Sequence, residues 1–218
     1  MNQSPAHPFH VAAVVLAAGR SRRMGAFKPL LPFGARTVIE TCIDNLRAAG
    51  VGEIVVVVGH RAGEVRARLS HLPVRFALND ESGSEMGASI ARGVEALSPC
   101  DDAGAGGAVL IALADHPAVA AGEIEEVIAA HRRTGAPIIV PEWHGRGGHP
   151  VLVSDGLRAS LLNLDEAGGL RGLFKARAGE VLRLPVASEY VARDMDTWED
   201  YRALHEAVFG VPPPITQT

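Results

Sequence analysis

Cysteine is nearly absent: Cys42 and Cys100 are the only two, far apart and without CxxC spacing. A disulfide framework and a structural zinc site are therefore not expected, and a reducing cytoplasm is the compartment that fits. An excess of positive charge is missing too. With 21 Lys and Arg against 25 Asp and Glu, the formal net charge is -4, which argues against nucleic acid or an anionic membrane as the main partner, because both need a basic face. Any anion site must be local. No apolar run approaches the roughly 20 residues that a membrane helix requires. Residues 1–10, with Pro5 and Pro8, lack the basic region and apolar stretch of a signal peptide. Two nucleotide fingerprints also fail. Gly104, Gly106 and Gly107 precede an apolar run where a dinucleotide loop would follow one, and no Gly-Lys-Ser/Thr is present for a P-loop kinase.

What is present is an ordinary globular composition, 47% hydrophobic and 21% charged over 218 residues, enough for one sizeable core. A single α/β domain over 11–210 is expected, between a disordered stretch at 1–10 and a flexible tail at 211–218. Val11–Ala17 is continuously apolar, as in a strand buried on both faces. Glu53–Val58 is β-branched and ends on Gly59. Further strands are expected at Val74–Leu78, Val109–Ala114, Pro137–Val140 and Val181–Leu184, with a last one at Val191–Met195. Helices are expected from Thr37 to Ala49, Ala62 to Leu69, Gly87 to Leu97, Gly122 to Thr134, Ser154 to Leu162 and Glu166 to Ala176, and after Asp196 or Thr197 to Phe209. Ser98–Gly107 reads as a surface connection, and Glu142–Gly148, with Trp143 and His144, as a loop. Strand and helix alternating at this spacing imply a Rossmann-like, doubly wound, mainly parallel sheet. Such sheets bind ligands beyond the carboxyl ends of their strands.

Two groups of residues stand at such ends. After the first strand, Leu16-Ala-Ala-Gly-Arg-Ser-Arg-Arg-Met-Gly-Ala-Phe-Lys28 has the chemistry to hold a polyanion: Gly19 and Gly25 let backbone N–H groups approach phosphate oxygens, and Arg23 and Lys28 supply countercharge. Asp115 and the pair Asp194 and Asp196 end two later strands. A nucleoside triphosphate carries more charge than two or three cations neutralise, and Mg2+ held by one or two carboxylates is the usual supplement. Phosphoryl or nucleotidyl transfer then needs mainly positioning and charge stabilisation.

The same loop resembles the signature LxxGxSxRMGxxK of the MobA-like nucleotidyltransferases, the group related to enzymes that attach CMP or GMP to molybdopterin. The similarity continues through Lys28-Pro-Leu-Leu-Pro32, Val58-Gly-His60, Met86 to Leu97, Leu113-Ala-Asp-His-Pro117, Gly148-His-Pro-Val-Leu152 and Asp194-Met-Asp-Thr-Trp-Glu-Asp-Tyr201. Ala-Ala-Gly in the loop, together with Gly-His-Pro-Val, is similar to molybdenum cofactor cytidylyltransferase; the guanylyltransferase relatives usually carry Gly-Gly.

The resemblance implies a fold of the nucleotide-diphospho-sugar transferase type and transfer of CMP from CTP to the phosphate of Mo-molybdopterin, with release of pyrophosphate and no protein nucleophile. It places Leu16, Ala17, Ala18, Gly19, Ser21, Arg22, Arg23, Met24, Gly25, Lys28 and Ser89 around the nucleotide. Within that set, Arg23 falls on the β and γ phosphates and Lys28 at the α phosphate, as the catalytic cations. Asp115 and Asp196 would hold Mg2+, with Asp194 as a candidate to share it. Gly148, His149 and Pro150 would face the acceptor, joined by His116, which stands where relatives have Met or Gln. Glu85 and Gly87 also depart from the Gly-Met-Ser-Ser-Ser-Leu pattern. Base choice and acceptor therefore stay open, with GMP transfer, a sugar or polyol phosphate acceptor, or a non-catalytic cofactor-binding accessory protein for a molybdoenzyme as alternatives.

Overall fold

The apolar run at Val11–Ala17 becomes the central strand of the molecule. The computed structural model describes residues 9–21, 23–81, 85–99, 107–164 and 168–215. In it β1 (Val11–Ala17) pairs in parallel on both sides, with β2 (Glu53–Val58) and, two strands later in the chain, with Ala108–Leu113. Outside β2 lies β3 (Arg75–Leu78), and Ala108–Leu113 is β4. The other half consists of β5 (Ile138–Trp143), the short β6 (Arg146–Gly147), β7 (Val151–Ser154) and β8 (Val181–Pro185). Among the described residues the order is β8-β5-β7-β4-β1-β2-β3, with β6 paired to β5. Only β7 and β6 run against the rest, so the sheet is mixed and mainly parallel.

Alternate residues of each central strand serve opposite faces. Ala13, Val15, Val56 and Leu110 meet Ile39, Ile43 and Leu46 of α1 (Val38–Ala48), Val65 of α2 (Ala62–Arg68), and Ile124 and Val127 of a helix over Ala121–Thr134. On the other side Val14, Val55, Val57 and Ile111 pack against Ile90 and Val94 of α3 (Met86–Glu95). With Ala121–Thr134 numbered α4, that face is completed by Leu161 of α5 (Arg158–Leu162) and Leu170 of α6 (Gly169–Ala176). Apolar burial on both faces explains why these strands read as unbroken apolar runs. At Gly93 the fit is close: a Cβ there would stand 2.3 Å from Val14 Cγ1.

A third cluster matters most for the site. Met24, Leu31, Phe33 and Val38 pack with Met195 and with Tyr201 and Leu204 of α7 (Trp198–Phe209). This cluster clamps the segment after β1 to the end of the chain. Tyr201 Oη donates to the Pro32 carbonyl at 2.6 Å. Thr197 caps α7, accepting from the Asp200 N–H at 3.1 Å while Asp200 accepts from the Thr197 N–H at 2.8 Å.

Two stretches differ from the sequence expectation. Glu142–Gly148 is not an open loop: β5 runs to Trp143 and turns through His144 (φ 47) and Gly145 (φ 80) into β6, a two-residue turn whose positive φ angles match the twist of a hairpin. Val191–Met195 is not a strand. Glu189–Ala192 is a short 3-10 turn, and Val191 and Met195 anchor in two different clusters, so the apolar residues are plugs and not one face of a ladder. Where the expected tail is described, the Val211 carbonyl lies 2.7 Å from His205 Nδ1 and Ile215 rests on the third cluster. Residues 1–8, most of the expected connection at 98–107 and residues 216–218 lie outside the described residues.

Candidate active site

The segment after β1 turns back on itself within a few residues. Ser21 and Gly25 take positive φ (49 and 69), the Gly25 N–H donates to the Ser21 carbonyl at 3.2 Å, and the Lys28 N–H donates to Ser21 Oγ at 3.3 Å. Met24, 3% exposed, plugs the third cluster. That anchor fixes where the flanking cations emerge. Arg23 is exposed, whereas Lys28 opens a 3-10 turn over Lys28–Leu30 with its side chain only 9% exposed.

Two carboxylates from distant parts of the chain meet the lysine. Lys28 Nζ donates to Asp196 Oδ1 at 2.6 Å and to Asp115 Oδ2 at 3.1 Å. Arg23 also pairs with Asp196, through Oδ2. Asp115 sits there because β4 ends at Leu113 beside β1, and Asp196 because its neighbour Met195 is fully buried in the cluster that holds Met24. Burial works against the charge on Lys28, but its hydrogen bonds to Asp196 and Asp115 and their field outweigh that and hold its pKa above the ordinary value. The hydrogen bond from Lys28 in turn holds the Asp196 carboxyl below the usual carboxylate range. Lys28 and Asp196 therefore both stay charged near neutrality.

These residues border an open cleft of about 600 Å³ at the carboxyl ends of β1 and β4. Of the residues expected at a nucleotide, Leu16, Ala17, Ala18, Gly19, Ser21, Lys28 and Ser89 line it, as do Asp115, Asp194 and Asp196. Met24 and Gly25 shape the loop from behind, and Arg22 lies outside the described residues. Sequence reasoning missed Asn79 and Glu81. Asn79, buried at the end of β3, donates from Nδ2 to Ser89 Oγ at 2.8 Å and so fixes that hydroxyl in the wall. Its signal was its place directly after a strand in a parallel sheet.

The expected acceptor residues are not brought to the cleft. His116, His149 and Pro150 line a separate small pocket of about 20 Å³ with Cys42 and Val119, sharing only Leu113 with the cleft wall. Gly148 is a packing position: a Cβ there would lie 2.2 Å from the Val191 carbonyl oxygen. His149 Nδ1 lies 3.2 Å from the Ile111 carbonyl, and burial pushes its pKa down to about 4. Burial also lowers the pKa of His116, whose Nδ1 is buried without a hydrogen-bond partner among the described residues.

Asp115 and Asp196 are hard oxygen donors converging on one point, the lysine nitrogen. Among the described residues no group of three or more His, Cys, Asp or Glu forms a complete metal cage. A pair of carboxylates suits an ion such as Mg2+, which keeps several waters and completes its shell with phosphate oxygens. The donor set therefore fits a divalent ion that arrives with a phosphorylated substrate. A glycine-bearing loop, two cations and two carboxylates around an open cleft can hold a polyphosphate and stabilise charge at one of its phosphorus atoms.

Known proteins resemble the chain along most of its length. Residues 13–181 match the family described as the MobA-like NTP transferase domain. Nicotine blue oxidoreductase of Paenarthrobacter nicotinovorans is 29% identical over 207 residues, 89% of this chain and 96% of that one. The bifunctional protein GlmU of Pelobacter propionicus is 37% identical over 147 residues, 63% of this chain; the chain spans only 31% of that relative's length. The crystal structure of Rv0371c from Mycobacterium tuberculosis H37Rv in complex with manganese shares the fold with a TM-score of 0.74 at 28% identity, covering 91% of this chain and 98% of that one.

Proposed function

The chain belongs to the MobA-like NTP transferase family, whose activity is nucleotidyl transfer, and from that membership we propose that it is a Mg2+-dependent cytidylyltransferase acting on Mo-molybdopterin in the cytoplasm. The observation that carries the reading is the lysine held between Asp115 and Asp196, opposite the loop that begins at Leu16.

In this reading the loop from Leu16 to Gly25 cradles the triphosphate with its backbone, helped by Ser21, Arg22 and Arg23. Arg23 meets the β and γ phosphates. Lys28 stabilises the charge that builds on the α phosphate when an oxygen of the acceptor phosphate attacks its phosphorus. The bond to the β-bridging oxygen breaks, pyrophosphate leaves, and no covalent enzyme intermediate forms. Mg2+ held by Asp115 and Asp196, with Asp194 at its margin, supplies further neutralisation of the phosphates. Ser89, held by Asn79, faces the nucleoside, and Ala17-Ala18 favour cytosine over guanine. His116, Gly148, His149 and Pro150 serve the acceptor side in this reading, the two histidines and the proline from behind Leu113 of the cleft wall.

A second reading rests on the relative named nicotine blue oxidoreductase, which is matched over nearly its full length: the same cleft would then host a reduction. One experiment separates the two. The pure protein is incubated with each of the four NTPs, Mg2+ and Mo-molybdopterin, and pyrophosphate is followed. Release with CTP above the other three is expected; release with GTP or with a sugar phosphate acceptor would redirect the specificity. No release under any combination, with NADH or NADPH oxidised in a parallel incubation that supplies nicotine blue as the electron acceptor, would replace transfer by reduction.

A further inference from the structure

The cations of the loop and the carboxylates opposite them satisfy one another. Lys28 Nζ sits at hydrogen-bonding distance from both Asp196 Oδ1 (2.6 Å) and Asp115 Oδ2 (3.1 Å), and Arg23 takes the other oxygen of Asp196. The two carboxylates that would meet a divalent ion are thus already engaged by cations, while Asp194 and Glu81 lie elsewhere in the cleft lining. The ammonium is seated between the carboxylates by its surroundings. Its side chain is 9% exposed, and its backbone is held in the 3-10 turn over Lys28–Leu30, with Pro29 next and the Lys28 N–H tied to Ser21. A Mg2+ ion bound to the same oxygens would stand about 2.0–2.1 Å from each, in the space the ammonium fills. The two cations cannot share it.

We infer that Lys28 guards the metal site: the ammonium and the divalent ion compete for Asp115 and Asp196, and the ion binds firmly only once a triphosphate has drawn Lys28 away. The inference rests on the reading of these carboxylates as metal ligands, and it adds an order and a coupling to that reading. A polyphosphate lying along the Gly19 loop offers Lys28 and Arg23 new anionic partners, which frees both aspartates together. Because coupling between two ligands is reciprocal, the metal must strengthen polyphosphate binding by the same factor. Metal alone would then occupy the enzyme weakly, and the protein would take up the ion as part of the substrate complex.

Mn2+ serves as the probe, with the free ion counted by electron paramagnetic resonance and no nucleotide present. The full chain is compared with Lys28→Met and with the double variant Lys28→Met, Asp115→Asn. At least tenfold tighter Mn2+ binding in Lys28→Met, abolished in the double variant, is expected. Equal Asp115-dependent affinity in the parent and Lys28→Met would overturn the guard while leaving the metal site standing. Absence of any Asp115-dependent binding would overturn both the guard and the carboxylate reading beneath it.

A measurement on the unsubstituted chain covers the case in which Lys28→Met does not fold. Only two lysines occur, Lys28 and Lys175, so a 15N-lysine spectrum carries two side-chain signals, assigned with Lys175→Arg. Tripolyphosphate without metal should move the Lys28 signal, and millimolar Mg2+ alone should not. Displacement by Mg2+ alone would refute the competition.

Discussion

Truncating Met195 to alanine should damage the cleft from behind. Met195 is fully buried, packs in the cluster that contains Met24, Tyr201 and Leu204, and directly precedes Asp196. Loss of a buried methionine side chain costs about 2–5 kcal/mol, and a fully buried side chain among rigid neighbours belongs in that range. For a chain of this length, each kcal/mol lowers the melting temperature by roughly 2–4 °C, so a drop of roughly 4–20 °C is expected. The effect should reach the ligand too. With its anchor gone, Asp196 no longer holds Lys28 and Arg23 in register, and the rise in melting temperature that a fixed CTP and Mg2+ concentration produces in the parent should shrink. Met195→Leu, close in volume, should stay within about 1.5 kcal/mol and keep the nucleotide effect. Urea unfolding and thermal melts with and without CTP provide the readout. A Met195→Ala protein within about 0.5 kcal/mol of the parent and with an unchanged CTP shift would refute the idea that this cluster fixes the loop against Asp196.

Other substitutions probe separate parts of the molecule. Lys28→Ala and Asp115→Asn should each lower the rate of pyrophosphate release by about 10²–10³-fold while the protein keeps a cooperative melt; near-full activity would show the residue to be misassigned. Gly93→Ala drives a methyl group to 2.3 Å from Val14 Cγ1 and 2.8 Å from Val57 Cγ2, so about 1–3 kcal/mol of stability should be lost, as denaturant titration will report. His149 supplies a pH test. Its folded pKa is near 4 and its ordinary value 6.5, so the unfolded chain takes up the proton first as pH falls. Stability from this group is complete above about pH 6.5 and declines toward pH 4, by about 3 kcal/mol if the full shift is expressed. The depressed pKa of His116 acts in the same direction. Unfolding free energies from pH 7 to 4 should fall more steeply in the parent than in His149→Gln, and parallel slopes would count against the assignment.

The strands and the loop were legible in the sequence for a physical reason. β1, β2 and β4 are buried on both faces, so their apolar content is continuous, and Gly59 and Asp115 stand just beyond the ends of β2 and β4. Asp115 and Asp196 could be named as candidates by their positions after apolar runs. That they share one lysine could not be read, because the contacts span 87 and 168 residues of sequence and depend on the packing of Met24 against Met195. The hairpin at His144 and Gly145 was hidden because its strands are short and polar at the tip. How the Gly-His-Pro-Val segment sits could not be read either, because a short motif fixes composition but not which side of a wall it faces. His149 and Pro150 turn toward Cys42, in the interior, and Gly148 is a glycine because Val191 leaves no room for a side chain.

Transfer of an α-phosphorus label tests the proposed chemistry most directly. With CTP labelled at the α phosphate, Mg2+ and Mo-molybdopterin, the label should appear on the pterin cofactor in step with unlabelled pyrophosphate, and Lys28→Ala should suppress both. Failure to move label from any of the four α-labelled triphosphates to that acceptor would contradict molybdopterin nucleotidyl transfer.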